Sequence, residues 1–195
     1  MSGTIDYYNK NADNFIETTQ NVDMHPAQER FLALLSNGST ILDFGCGSGR
    51  DTRYFLDKGH LVDAVDGSAE ICRRATEFTG ISVKPMLFQE LSSVDRYDGI
   101  WACASVLHLS KSELRDVFSR MIRALKDKGV IYASFKYGTF EGERRGRYFT
   151  DFTEDTFGKF MKPFSEIIIE ECWLTSDVRP DRADEKWLNL LLRKR

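Results

Sequence analysis

No stretch of this sequence approaches the roughly eighteen consecutive apolar residues that a membrane-spanning helix needs. The opening Met-Ser-Gly-Thr-Ile-Asp has neither the basic nor the apolar segment of a secretory signal, so the chain is expected to work in the cytoplasm and away from membranes. Cysteine is scarce. Cys46, Cys72, Cys103 and Cys172 lie far apart with no Cys-x-x-Cys pair, and His25, His60 and His108 are equally scattered, so reduced thiols and no metal site are expected. Neither sign of charge prevails: 27 Lys and Arg face 30 Asp and Glu, a net charge of -3. That balance argues against broad electrostatic binding of nucleic acid and leaves only a local basic patch open. There is no internal repeat, low-complexity tract or linker.

What is present is enough for one domain with a sizeable core: 195 residues, 42% hydrophobic and 29% charged. Strand-like and helix-like segments alternate, which is the pattern of an α/β sheet. Residues 1–37 read as a helical cap in which Tyr7, Tyr8 and Phe15 punctuate a polar opening, followed by a helix over 26–36. Strands are expected over 40–44, 60–65, 81–87, 98–103 and 130–135. Helices are expected over 50–58, 68–78 and 111–126. The last has Leu114, Val117, Phe118, Met121, Ile122 and Leu125 on one stripe, a Ser110/Glu113 capping box at its start and Gly129 at its end. Residues 136–151 show neither period and are read as a loop, and a short helix follows over 154–161. Ile167–Ile169 and Trp187–Leu192 complete seven strands, the last two an antiparallel hairpin at the sheet edge around a polar turn at 179–182.

The densest signal is Asp43-Phe-Gly-Cys-Gly-Ser-Gly49, which follows a strand and precedes a helix. Glycines at 45, 47 and 49 let backbone turn tightly and approach a ligand without a Cβ in the way. A dinucleotide fingerprint would place a small residue where Arg50 stands, which counts against NAD and against an oxidoreductase. Arg50 instead offers positive charge to a cofactor carboxylate. Asp66 ends the second strand 21 residues after Gly45, the distance at which a carboxylate reaches ribose hydroxyls.

Three runs in order, Ile41 to Asp51, Val62 to Ser68 and Tyr97 to Ala102, resemble class I S-adenosylmethionine-dependent methyltransferases, most closely the small bacterial group that includes tellurite-resistance-type enzymes. The resemblance implies a Rossmann-like fold, a seven-stranded sheet of order 3-2-1-4-5-7-6 with strand 7 antiparallel and helices on both faces. It implies S-adenosyl-L-methionine as cofactor and S-adenosyl-L-homocysteine as product. It further implies Gly45 and Gly47 against the methionine part, Asp43 supporting the loop, Asp66 on the ribose, and Ala104 or Ser105 beside the methyl donor. Cys46, Gly67 and Ser68 accompany these contacts, Cys46 as a small packing residue rather than a nucleophile. Many relatives carry an acid directly after the third strand. Here the stretch is Phe88-Gln-Glu-Leu91, so Gln89 or Glu90 is left to meet the adenine, with Leu91 beside them.

Methyl transfer from a sulfonium is an in-line displacement in which the protein mainly aligns the partners and excludes water. A base is needed only if the acceptor arrives protonated, and His108 is the best-placed candidate; a polar cap on a turn is its competing reading. On the acceptor side, Ser105, Lys136, Tyr137, Arg147 and Tyr148 are expected beside a loop over 137–152, with Arg179 and Arg182 as further cations for an anionic substrate, whereas Arg144 and Arg145, interspersed with Glu141 and Glu143, read first as part of a solvated loop. A small molecule methylated at oxygen, nitrogen or a soft atom such as sulfur or tellurium is the leading acceptor class. Gly146-Arg-Tyr-Phe-Thr150 is similar to a segment of tRNA wobble-uridine methyltransferases, which makes tRNA the alternative, and a non-catalytic cofactor-binding subunit is a third reading.

Overall fold

The computed structural model describes residues 2–179, 182 and 184–195. Pro180 and Asp181, the centre of the turn expected at 179–182, lie outside the described residues.

Short parallel strands alternate with helices through the first two-thirds of the chain. The elements are α1 (Ser2–Lys10), α2 (Ala12–Thr19), α3 (His25–Leu32), β1 (Thr40–Phe44), α4 (Arg50–Asp57), β2 (Leu61–Asp66), α5 (Ala69–Thr79), β3 (Lys84–Pro85), β4 (Tyr97–Ala102), α6 (Lys111–Ala124) and β5 (Leu125–Lys136). After them come β6 (Glu141–Arg144), β7 (Arg147–Thr150), α7 (Glu154–Met161), β8 (Ile167–Ser176) and β9 (Lys186–Lys194). Seven strands form one sheet in the order β3-β2-β1-β4-β5-β9-β8, with β9 antiparallel to both neighbours. Counting only these strands, that is the expected 3-2-1-4-5-7-6.

Period-two alternation makes the sheet a divider between two apolar layers. Leu42, Phe44, Ile100, Ile131, Ala133 and Leu190 face one way and pack on the stripe of α6 and the phenylalanines of α7. Ile41, Trp101, Val130, Tyr132 and Leu191 face the other way and meet Phe31 of α3 and Phe55 of α4. Because both faces of the central strands are covered, β1 and β4 read as nearly unbroken apolar runs.

The helix-end rules hold where local chemistry decides. Ser68 accepts from the Ile71 amide at 3.2 Å and Gly80 closes α5 in the left-handed region; Ser110 and Glu113 form their reciprocal box. Three expectations fail. Gly129 does not end α6: the helix stops at Ala124, whose carbonyl accepts from the Arg96 amide at 2.9 Å, and Leu125 already pairs with Tyr97 as the first residue of β5. The third strand shrinks to two residues, since Pro85 has no amide to extend the ladder and the chain turns at once into a 3-10 segment at Phe88–Glu90. The loop at 136–151 is in fact a hairpin, β6 to β7, whose two turn residues Arg145 (φ 50) and Gly146 (φ 76) are both left-handed, the geometry that matches strand twist.

Candidate active site

The carboxyl ends of β1, β2, β4 and β5 open into a cavity of about 280 Å³ whose walls include the glycine loop, Asp66, His108, Lys136 and Arg147. This is where ligands bind in an open parallel sheet. Helices α1 and α2 roof it: Tyr8 and Phe15 line the cavity, and the Phe15 ring lies against Gly47.

The loop is shaped by the second strand. The Gly45 and Cys46 amides both donate to the Val65 carbonyl at 2.9 Å. Gly45 has φ +88, and a Cβ there would come within 2.5 Å of Ser105 Cβ, so only glycine fits. Asp66 accepts from the Gly47 amide at 3.1 Å and from the Ser68 amide at 2.9 Å, which fixes its carboxylate at the cavity wall beside Gly67. Burial raises its pKa against the lowering effect of those amides. Behind the loop, Asp43 accepts from Thr52 Oγ at 2.6 Å. Burial, reinforced by the nearby Asp51 charge, pushes the Asp43 carboxyl up to about 8.

Arg50 reaches the cavity wall but is already engaged. Its Nε and Nη2 donate to the two oxygens of Asp51 at 2.8 and 2.7 Å, and Asp51 also accepts from Gln28 Nε2 (2.6 Å) and Trp101 Nε1 (2.8 Å). Burial opposes ionisation of Asp51, yet the Arg50 charge and these donors hold its pKa below the ordinary value. The Arg50 charge, read from sequence as offered to a cofactor carboxylate, is paired with Asp51 inside the chain. Sequence reasoning missed Asp51, Gln28 and Trp101 because they come together only in the fold.

Beyond the third strand, Phe88 lines the cavity and packs edge-on against Phe44, ring centroids 4.8 Å apart. Gln89 Oε1 is buried with no hydrogen-bond partner among the described residues. Glu90 is turned to its own backbone, accepting from the Leu87 amide at 2.6 Å, and Leu91 is in the core.

At the far end, Ala104 (φ 49) and Ser105 carry the chain from β4 into the short turn Val106–His108. The Ser105 hydroxyl donates to the Phe44 carbonyl at 2.6 Å and so braces the loop. His108 Nδ1 lies 2.7 Å from the Tyr148 carbonyl, which can only accept, so Nδ1 carries the proton. Nε2 therefore accepts from Tyr8 Oη at 2.9 Å, and Tyr8 Oη in turn accepts from Arg147 Nη1 at 3.2 Å. Burial, helped by the Arg147 charge, lowers the His108 pKa to about 4 against the opposing Tyr148 bond, so the ring is neutral at physiological pH. Lys136 lines the cavity in an ion pair with Glu185. Tyr137 and Tyr148 are not among the lining residues; the Tyr148 hydroxyl is directed at Glu141, and Tyr148 contributes only its backbone. Asn189 is a lining residue that sequence reasoning passed over, although a lone amide within Trp187-Leu-Asn-Leu-Leu is a visible signal; it accepts from Tyr132 Oη at 2.7 Å. Among the described residues, no three His, Cys, Asp or Glu side chains gather as a metal site, and no helix is long and apolar enough to cross a membrane.

Residues 41–129 match the family model described as a methyltransferase domain. The fold is that of the class I methyltransferases. The Burkholderia thailandensis 1,6-didemethyltoxoflavin-N1-methyltransferase, solved with 1,6-didemethyltoxoflavin and S-adenosylhomocysteine bound, superposes with a TM-score of 0.80 over 99% of this chain and 88% of that one, at 23% identity. Magnesium protoporphyrin IX methyltransferase from Synechocystis PCC 6803, solved with S-adenosylhomocysteine bound, gives 0.73 over 97% of each chain at 17% identity. In sequence, the chain is similar to a malonyl-[acyl-carrier protein] O-methyltransferase of Salmonella typhimurium, 27% identical over 97 residues that make up 48% of this chain and 37% of that protein. The chain spans about half, or less, of the length of the curated relatives it matches.

Proposed function

We propose that this protein is a class I S-adenosylmethionine-dependent methyltransferase acting on a small-molecule acceptor. The observation that carries the reading is one continuous cavity that joins the Gly45–Gly47 loop and Asp66 to the Tyr8, His108 and Arg147 end. The residues present fit the cofactor. Gly45 and Gly47 bring bare backbone to the cavity wall, Asp66 keeps lone pairs free beside two amide contacts, and the Phe88 ring offers a flat apolar surface on the same wall. Bound there, the cofactor supplies a methyl group on a positively charged sulfur.

The chain's own part is to hold and orient. Gly45, Cys46 and Gly47 present backbone, and Asp66 with Gly67 and Ser68 anchors the ribose end. Ala104 and Ser105 leave room where the acceptor meets the methyl group, and α1 and α2 exclude water from above. With both ring nitrogens of His108 engaged and its pKa at about 4, the ring orients Tyr8 and is a weak base. Residues 1–195 are read as one domain, with 1–37 capping the cofactor and 137–152 forming the acceptor wall.

The proposal covers oxygen, nitrogen and soft sulfur or tellurium acceptors, the last following from the tellurite-resistance-type resemblance. A small molecule is favoured because the Burkholderia structure, of the same fold, holds one. The cytoplasm suits the free thiols of Cys46, Cys72, Cys103 and Cys172.

Calorimetry with S-adenosylmethionine, S-adenosylhomocysteine and NAD tests the cofactor. Tight NAD binding without binding of the sulfonium would overturn the reading. Labelled methyl transfer into metabolite and tRNA pools tests the acceptor, with label confined to RNA as the contrary result.

A further inference from the structure

Among the described residues, five cations line the cavity: Arg50, Lys136, Arg147, Arg179 and Arg182. Four of them have a carboxylate partner within the chain. Arg50 pairs with Asp51 at 2.7 Å, Arg179 with Asp177 at 2.5 Å, Lys136 with Glu185, and Arg182 with Glu185 at 3.9 Å. Arg144, the neighbouring cation of the hairpin, pairs with Asp151. Arg147 has no carboxylate partner among the described residues. Its one hydrogen bond there is from Nη1 to the Tyr8 hydroxyl, and its buried Nε has no partner among them.

Aromatic rings hold this guanidinium instead. Its central carbon lies 4.5 Å from the Tyr7 ring centroid, 5.2 Å from Phe149 and 5.7 Å from Tyr8. Such contacts stabilise a partly buried cation without neutralising it. His108 adds no charge, since its ring is neutral. The acceptor end of the cavity therefore carries a positive charge that the described chain leaves uncompensated, on the residue type whose planar fork suits a carboxylate or another delocalised oxyanion.

We infer that the methyl acceptor is a small organic anion and that the Arg147 guanidinium holds its negative charge. This rests on the methyltransferase reading above. The chemistry agrees with it. A lone pair of the anion forms the new bond to the methyl carbon as the carbon–sulfur bond breaks, and the electron pair of that bond leaves on sulfur. Anion and sulfonium centre are both discharged, and no proton is moved. A site closed to water favours such mutual discharge, and an acceptor that arrives deprotonated needs no general base, in keeping with the weak basicity of His108.

Benzoate and its neutral isostere benzamide are suitable probes, titrated by calorimetry into the full chain with and without S-adenosylhomocysteine. Wild type is expected to bind benzoate about tenfold or more tightly than benzamide, and Arg147→Gln to reduce that ratio to within about twofold while S-adenosylhomocysteine affinity stays within about threefold. Arg145→Gln, at the hairpin turn, should keep the wild-type ratio. Equal binding of the two probes to wild type, or an undiminished ratio in Arg147→Gln, overturns the inference. On wild type alone, benzoate but not benzamide should slow phenylglyoxal modification of Arg147, read by mass spectrometry, by about fivefold; equal rates count against it, and this readout survives a variant that fails to fold. Failure of S-adenosylhomocysteine to bind wild type would instead refute the cofactor reading, while the benzoate ratio without cofactor still tests Arg147.

Discussion

Tyr8 Oη donates a 2.9 Å hydrogen bond to His108 Nε2, tying the first helix to the turn that follows the fourth strand across 100 positions of sequence. The direction of that bond follows from the other ring nitrogen, which must give its proton to the Tyr148 carbonyl. A helix roof, a sheet edge and a hairpin are thereby joined through one imidazole, and Arg147 completes the chain of contacts on the cavity side.

Replacing Tyr8 by Phe removes the donor and leaves a buried Nε2 unsatisfied. The variant is expected to lose about 1–2 kcal/mol of stability, since an orphaned buried acceptor forfeits its desolvation cost. Thermal denaturation at pH 8, where His108 is neutral in the folded and unfolded chain alike, checks this. An unchanged melting temperature would show that the bond contributes nothing.

His108 titrates at about 4 in the folded protein against 6.5 as its ordinary value. The folded state binds fewer protons than the unfolded state between these values, so the contribution of the neutral ring is complete above 6.5 and is lost as pH falls towards 4. Linkage sets its upper size at about 3 kcal/mol. His108→Asn preserves a donor for the Tyr148 carbonyl but cannot protonate. It should therefore lose less stability than wild type on going from about pH 7 to about pH 4.5; parallel curves would refute the depressed pKa.

Asp66→Ala removes the carboxylate that holds the Gly47 and Ser68 amides at the cavity wall and that the proposed function places on the cofactor ribose. Affinity for S-adenosylhomocysteine, measured by calorimetry, is expected to fall by about tenfold or more while the circular dichroism spectrum is retained. An unchanged dissociation constant would displace Asp66 from the cofactor site.

The two buried acids behind the loop should respond oppositely to the same change. Asp43, raised from 3.8 to about 8, is mostly protonated at pH 7, so Asp43→Asn should leave stability equal or higher there. Because a raised carboxyl costs stability as pH climbs from its unfolded value to its folded one, this variant should gain on wild type over that range. Asp51→Asn instead leaves Arg50 buried without its counter-charge and should cost about 3–5 kcal/mol. Chemical denaturation of both variants across pH 5–8 separates the two cases; similar losses would contradict the assignment of the proton to Asp43.

The glycine-loop end of the cavity is largely legible in the residues themselves. Glycine spacing, the acid at the end of the second strand and the Ser68 and Ser110 caps act within a few residues of backbone, where sterics and local hydrogen bonds decide. The short apolar run of β1 likewise predicts a buried strand. The Arg147 end is not legible in the same way. The hairpin at 141–150 has an Arg-Gly turn and mixed polarity, so no period announces it. The arginines of that region look alike in sequence, yet among the described residues Arg144 finds Asp151 while Arg147 finds rings and one hydroxyl.

The glycine loop, its flanking strand and helix, and the order of the α/β elements are thus determined by sequence alone, because they follow from short-range backbone chemistry and hydrophobic periodicity. The tertiary structure alone decides which charges remain uncompensated. It neutralises Arg50 with Asp51, holds His108 as a neutral ring between Tyr8 and Tyr148, and leaves Arg147 without a carboxylate among the described residues. Charge pairing and desolvation depend on which distant segments meet in space, and neither is encoded in the spacing of residues along the chain.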